Sequence, residues 1–288
     1  HGGAAVDSLI GHRWKKALGG VAKWRGWTIP DRDLKAWVCP TFHPSFVERQ
    51  DKDSQDVETI WQHDLEQAFS MLDVPFPQFQ DEESLIEIVD DKKDIRQLLK
   101  KLNAESRTLA VDIETTGLKP YDLANHRIVC TSFCNSPDKA YVVPGPDEML
   151  LRYLKELLEN PDIGKIAANM KFEDTWENIV NGIEVKSWIW DTMQAGHVLD
   201  NRPGITGLKL QVYTYFGVID YDSEISSFLE GDKKNANSVN RIMELVNSPE
   251  MFHKLKIYCG MDSLFEYRLA LIQMEQMGVD AHLEGFLS

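Results

Sequence analysis

Leu109-Ala-Val-Asp112-Ile-Glu114-Thr-Thr-Gly117-Leu118 is the stretch from which the rest of this chain can be read. A short apolar run delivers two carboxylates one residue apart and ends in a Thr-Thr-Gly turn. The run predicts a buried strand over Thr108–Ile113. On a strand, residues i and i+2 point to the same face, so Asp112 and Glu114 converge at a strand end. Hard divalent cations take oxygen ligands and can be held by such a pair.

Around this strand the pattern alternates between sheet and helix. Leu85–Val89 reads as a strand, and Asp91–Leu102 as an amphipathic helix with Ile95, Leu98, Leu99 and Leu102 on one face. Strands are expected at Arg127–Cys134, Ala140–Val143 and Lys165–Ala168. Asp147–Leu158 predicts a helix capped by Asp147 that buries Leu150, Leu151, Leu154, Leu157 and Leu158. Helices follow at Lys171–Val180, Asp191–Leu199, Leu208–Phe216 and Pro249–Met277, with a polar loop over Glu224–Ser238. Strands first and then mostly helices give an α/β class with a mixed sheet covered by helices.

Upstream lies a second unit. Val6–Ile10 has helical character, Arg25–Ile29 and Lys35–Cys39 alternate as strands do, and Asp56–Leu72 carries Ile60, Leu65, Phe69 and Leu72 at helical spacing. Pro75, Pro77 and the acidic run through Glu83 then read as a linker. The expected division is 1–80, a linker over 81–84, and 85–288.

The chain has 288 residues and is 43% hydrophobic, enough for a packed core and room for more than one domain. No apolar run approaches the roughly 20 residues that span a bilayer, and no signal peptide is visible. No membrane partner is expected, and the location is read as cytoplasmic, either bacterial or, for a viral protein, that of the host. Cys39, Cys130, Cys134 and Cys259 lack the paired CxxC spacing of a zinc site and read as reduced, buried thiols. The formal net charge is −15, whereas nucleic-acid binders are usually basic. Bound cations reverse the local sign of an acidic site, so the charge does not exclude a metal-dependent nuclease. Residues 1–50 hold eight basic and four acidic residues, a net of +4, which leaves −19 for the remainder. Beginning at His1 and ending soon after a predicted helix, the chain is expected to be a fragment or a processed product.

More acids stand in suggestive contexts. Asp174 follows Ala167-Ala-Asn169-Met-Lys-Phe-Glu173, in the first turn of a predicted helix. Asp262 lies in Tyr258-Cys-Gly-Met-Asp262, where i and i+4 share a helix face. Hydrolysis of a phosphodiester needs an activated water and stabilisation of the departing oxygen. Two divalent cations about 3.5–4 Å apart serve both ends of an in-line displacement. A tyrosine hydroxyl near the attacking water can orient it.

In this order, Asp112-Ile-Glu114-Thr-Thr-Gly-Leu, Asn169-Met-Lys-Phe-Glu-Asp174 and Tyr258-x-x-x-Asp262 resemble the three motifs of the DEDD-type 3′–5′ exonucleases. The likeness is to the DEDDy proofreading domain of family A DNA polymerases, and Asp191-Thr-Met-Gln-Ala also looks like a segment of that family. It covers about residues 84–280 and implies a ribonuclease H-like mixed-sheet fold. It further implies that Asp112, Glu114 and Asp262 bind one cation and that Asp112 and Asp174 serve a second, Mg²⁺ or Mn²⁺. Tyr258 would orient the water, Leu118 would wedge against the terminal base, and Thr115 and Asn169 would contact the strand. Asp191 reads as a helix cap before it reads as a ligand. The implied substrate is a single-stranded DNA 3′ end, and the implied partner a fused or separate DNA polymerase. The rival readings are an RNA-processing exonuclease and a non-catalytic docking module of a replication protein.

Cys39-Pro-Thr-Phe-His43-Pro-Ser45-Phe, with Trp61-Gln-His-Asp-Leu65 and Gly2-Gly-Ala-Ala-Val6, resembles the C-terminal part of a uracil-DNA glycosylase superfamily domain. That implies a partial α/β segment with His43 near a flipped base. The family's early motif has no counterpart here, so glycosylase activity is not expected of residues 1–80. His126 is expected beside a turn, His197 packed in a helix, and Trp176, Trp188 and Trp190 in the core.

Overall fold

The computed structural model describes residues 1–50, 55–232, 234–235 and 237–279. The chain divides into two compact units, His1–Gln80 with Asp200–Tyr221, and Asp81–Leu199 with the chain from Asp222 onward.

The first unit starts with α1 (Gly2–Val6), α2 (Val21–Trp24), β1 (Ile29–Asp31), β2 (Ala36–Val38), α3 (Pro44–Val47) and α4 (Gln55–Ser70). β1 and β2 pair antiparallel, Ile29 opposite Val38. The first expected strand, Arg25–Ile29, is displaced to Ile29–Asp31, and only Ile29 is common to both. α4 occupies the expected helix, yet Phe69 and Leu72 at its end are 63% and 80% exposed, so the apolar stripe is not buried along its whole length.

The second unit holds the expected mixed sheet. In chain order it contains β3 (Ile86–Ile88), α5 (Lys92–Glu105), β4 (Thr108–Thr115), β5 (Ile128–Ser136), β6 (Lys139–Pro144), α6 (Glu148–Leu158), β7 (Gly164–Ala167), α7 (Met170–Trp176), β8 (Trp188–Asp191) and α8 (Thr192–Leu199). The strand order is β3-β6-β5-β4-β7-β8. β4–β5 and β5–β6 are antiparallel, and the outer pairings are parallel. This is the ribonuclease H-like arrangement that the motifs imply. β8 was not expected: its Trp-Ile-Trp run carries no alternation, and its pairing with β7 makes it a strand.

Local signals set the helix ends. Asp91 accepts the N–H groups of Lys93 and Asp94 at 2.9 and 3.3 Å, and Asp147 those of Met149 and Leu150, both at 3.0 Å. Each cap satisfies donors that the first helical turn leaves without partners. α5 and α6 then bury Ile95, Leu98, Leu99, Leu102, Leu150, Leu154, Leu157 and Leu158 against Leu109, Val111 and Phe133. Each such side chain contributes about 1.5–3 kcal/mol on leaving water.

The expected linker at 81–84 is not a free tether. Glu82–Leu85 forms a 3₁₀ turn, and Glu82 is buried, with its carboxylate 3.4 Å from Arg268 Nη1.

After α8 the chain leaves this unit. Residues Asp200–Tyr221, including α9 (Leu208–Phe216), pack with the first unit, so 85–288 is not continuous as a body. Tyr213 stacks on Trp14 at 5.9 Å and meets Trp24 edge-on at 6.0 Å. Its hydroxyl donates to the buried Asp31, which also pairs with Arg13. Sequence periodicity finds α9 but cannot say which core receives it.

The chain returns through α10 (Ser226–Leu229), α11 (Ile242–Val246) and α12 (Pro249–Gln276). α10 is a short helix within the stretch read as a polar loop. α12 opens with Ser248 as cap and Pro249 in its first turn, where a missing N–H costs nothing. It covers the other face of the sheet: Leu264, Tyr267, Ala270 and Met274 pack with Ala110, Cys134, Ala140 and Ile166.

Candidate active site

Two elements build the site. On β4, alternation sends Leu109 and Val111 towards α5 and α6, and Ala110 towards α12. Asp112 and Glu114 continue the Ala110 face by the same period of two. Asp112 lies opposite Ser132, and Glu114 opposite Cys130. The register slips between Glu114 and Thr115, an irregularity of the kind that ends pairing and re-aims side chains.

α12 approaches this strand unusually closely. A Cβ on Gly260 would stand 2.4 Å from Ile86 Cγ2 and 2.8 Å from Val142 Cγ2, so only glycine fits there without movement. Ser132 Oγ donates to the Cys259 carbonyl at 2.7 Å and ties helix to sheet. The result is that Asp112, Glu114 and Asp262 each present an oxygen, and all three lie within 4.8 Å of one another. Glu114 and Asp262 are buried and Asp112 half-buried. Three carboxylates so placed repel one another and fit a hard divalent cation.

Tyr258 sits one helical turn before Asp262. It is half-buried and packs on the cluster that contains Val129, Cys130 and Ile242.

Asp174 does not join the group. Its Oδ1 accepts the Trp188 indole N–H at 3.1 Å. Its neighbour Glu173 is the acid of α7 that turns inward, only 3% exposed. Burial first, and then the charge of Asp112, holds the Glu173 carboxyl well above the usual carboxylate range. Its Oε2 has no hydrogen-bond partner among the described residues. Adjacent helical residues differ by about 100° in direction, so one of the two faces the cluster and the other does not. A sequence signal existed: Glu173, Trp176 and Glu177 follow i, i+3, i+4 spacing, and the tryptophan marks the buried side. This corrects the expected place of Asp174.

Another acid was missed altogether. Glu266 is fully buried on α12, one turn past Asp262. Burial, followed by the charges of Asp112, Glu173 and Asp262, pushes its carboxyl well above the usual range. Its signal was the same i+4 spacing that links Tyr258 to Asp262.

Asp191 behaves as a cap on two helices. Oδ1 accepts the N–H groups of Asn169 at 3.1 Å, Met193 at 2.9 Å and Gln194 at 3.2 Å, and Oδ2 that of Met170 at 3.1 Å. One carboxylate thus satisfies the open ends of α7 and α8 together.

Of the expected strand-contacting residues, Leu118 is 62% exposed just past the Thr115–Gly117 turn, and Asn169 is half-buried in the left-handed region at φ 72°. Thr115 departs from expectation: it is buried, and its hydroxyl donates to the Gly117 carbonyl at 2.8 Å. A segment outside the motifs holds this turn. Asn240 donates its backbone N–H to the Thr116 carbonyl and its Nδ2 to that of Thr115, both at 2.9 Å.

His43 belongs to the first unit, where its Nδ1 accepts the Ser45 N–H at 3.1 Å and caps α3. His126 is buried edge-on against Trp176 at 5.8 Å. His197 is exposed and not packed as expected. Trp176 and Trp190 lie in the core, and Trp188 is partly buried against it.

A family model described as 3′–5′ exonuclease matches residues 86–276. No curated protein matches the chain, and residues 1–80, with their glycosylase likeness, lie outside the stretch that the family model matches. Among solved structures, the chain is similar to Brucella melitensis NrnC, at 18% identity over 70% of this chain and 86% of that one, with a TM-score of 0.43. A mutant catalytic core of RRP6 from Trypanosoma brucei is 17% identical over 70% of this chain and 50% of that one, TM-score 0.44. The Aedes aegypti Nibbler EXO domain is 12% identical over 74% of this chain and all of that one, TM-score 0.48.

Proposed function

The chain belongs to the 3′–5′ exonuclease family, and from that premise we propose that it removes nucleoside monophosphates from single-stranded DNA 3′ ends, proofreading for a family A-type DNA polymerase. The observation that carries the reading is the approach of Asp112, Glu114 and Asp262 to within 4.8 Å. These three residues would hold one divalent cation, and Asp112 with Glu173 would serve a second. Mg²⁺ or Mn²⁺ suits this all-oxygen donor set. Such ions, when bound, make water a better nucleophile and offset charge on the phosphate and the departing oxygen.

The protein's own groups do the positioning. Tyr258, one turn before Asp262 on α12, orients the attacking water through its hydroxyl. The exposed Leu118 presents an apolar face to the terminal base and holds the 3′ end in line. Asn169 contacts the sugar–phosphate of the same strand. Glycosidic cleavage by the first unit forms no part of this function.

The test is a timed digest of 3′-labelled and 5′-labelled single strands, as DNA and as matched RNA, with Mg²⁺, Mn²⁺ or chelator. The reading expects immediate loss of the 3′ label, a ladder from the 5′ label, mononucleotide product and silence in chelator. Faster digestion of RNA would replace the proofreading role with RNA processing, and no digestion of either would make this a docking module.

A further inference from the structure

The turn between β7 and α7 is held from two sides by carboxylates. Glu266 Oε1 accepts the Ala168 N–H at 3.1 Å, while Asp191 accepts the next two N–H groups, those of Asn169 and Met170. Three consecutive backbone donors thus end on acids carried by α12 and by the end of β8. Between them Asn169 adopts a left-handed backbone, φ 72° and ψ 54°. A non-glycine residue there costs roughly 1–2 kcal/mol and persists where its surroundings over-determine it. The two acids supply that determination by accepting all three N–H groups of the turn, which leaves its buried backbone donors satisfied in this conformation only.

This turn fixes the rotation of α7. Glu173 lies four residues past Asn169, and a rotation of about 100° would put its neighbour in its place. The helix that carries Asp262 therefore also touches, one turn further on, the backbone that aims the second acidic motif.

Resting on the exonuclease reading above, we propose that Glu266 is a positioning residue for the reaction: its bond to the Ala168 N–H sets the rotation of α7 and aims Glu173 at Asp112. The bond needs an acceptor oxygen at the right reach. A carboxamide of the same length supplies one, and a shorter carboxylate does not. The two substitutions separate position from charge. Glu266 is buried away from solvent and contacts the strand substrate at no point in this scheme. Its effect runs through Glu173.

The test uses the full chain with Glu266→Gln, Glu266→Asp and Glu266→Ala. Each variant is assayed on a 3′-labelled single strand for kcat, KM and the Mn²⁺ concentration giving half the maximal rate, with the folded fraction set by circular dichroism. Glu266→Gln is expected to keep kcat within about threefold of the parent, with an unchanged Mn²⁺ requirement. Glu266→Asp and Glu266→Ala are expected to lose about 100-fold in kcat per folded molecule, the scale of a misplacement near 1 Å. Their KM stays near the parent's and their Mn²⁺ requirement rises. Parent kcat and Mn²⁺ requirement in folded Glu266→Asp or Glu266→Ala would overturn the proposal. So would a Glu266→Gln loss as large as that of Glu266→Ala, which would make the charge the working feature. If Glu266→Ala does not fold, the contrast between the Gln and Asp variants decides. A parent that digests no strand with either metal sinks the exonuclease reading instead, a result distinct from both.

Discussion

The indole N–H of Trp188 donates to Asp174 Oδ1 at 3.1 Å, and this bond turns Asp174 away from the acids gathered around Asp112. Glu173, its chain neighbour, points the other way into a fully enclosed position. The two residues offer a clean contrast. Glu173→Gln is expected to lower kcat at least about 100-fold on a 3′-labelled strand while the protein stays folded. Asp174→Ala is expected to keep kcat near the parent's and to cost about 1 kcal/mol of stability through the lost hydrogen bond. Kinetics and urea melts on the two variants check both halves. An inactive, folded Asp174→Ala would restore the sequence-based choice.

The carboxylates within 4.8 Å of one another store repulsion that a cation relieves. Saturating Mn²⁺ is therefore expected to raise the melting temperature of the parent, a stabilisation of about 2.7 kcal/mol once the ion exceeds its dissociation constant a hundredfold. Asp112→Asn removes one of the repelling charges. It should melt higher than the parent in chelator, gain little from Mn²⁺ and digest no strand. Calorimetry with and without the ion checks this; an Asp112→Asn melt that rises with Mn²⁺ as much as the parent's would contradict it.

Gly260 lets α12 lie against β3 and β6. A methyl group there meets Ile86 and Val142 at 2.4 and 2.8 Å. Gly260→Ala is expected to cost about 1–3 kcal/mol by overpacking, and to lower activity because Asp262 rides on the same helix. Urea unfolding gives the first quantity, and kcat per folded molecule the second. A neutral variant would show that the helix can shift freely.

Glu177 is fully buried, and burial pushes its carboxyl up to about 7, against the opposing bond from Asn181 at 2.8 Å. The native state holds this proton more tightly than the unfolded chain, whose glutamate titrates near 4.5. The resulting stabilisation is complete below pH 4.5 and is lost as pH rises through 7, by up to about 3 kcal/mol. Urea midpoints measured from pH 5 to 8 should fall more steeply for the parent than for Glu177→Gln. Parallel curves would remove Glu177 as the cause. Glu173 and Glu266 shift in the same direction, so the difference between the two proteins, rather than the parent's slope, is the quantity to read.

Some of this was legible in the residues alone. Apolar spacing located α5, α6, α9 and α12, and Asp147 and Asp191 declared themselves as caps. The Asp112-Ile-Glu114 run placed two acids on one strand face, and the i, i+4 step placed Tyr258 and Asp262 on one helix face. Other parts were misread for definable reasons. β8 has no alternation of its own and exists through its pairing with β7. The acidic run at 81–83 looks solvated until Arg268 supplies a partner for Glu82.

The sequence by itself determined the long helices, the central strands, the Asp147 and Asp191 caps and the pairs of residues that share a face, because these depend on periods of two and 3.6 within a few residues. Tertiary structure alone decided that 200–221 belongs with the first unit; for Glu173 against Asp174, and for the enclosure of Glu266, the sequence carried a spacing signal, and the packing around it made the choice. Those outcomes hang on the rotation of a helix and on contacts between segments far apart in the chain. Such contacts are set by packing and by the pairing of buried polar groups, which no local pattern encodes.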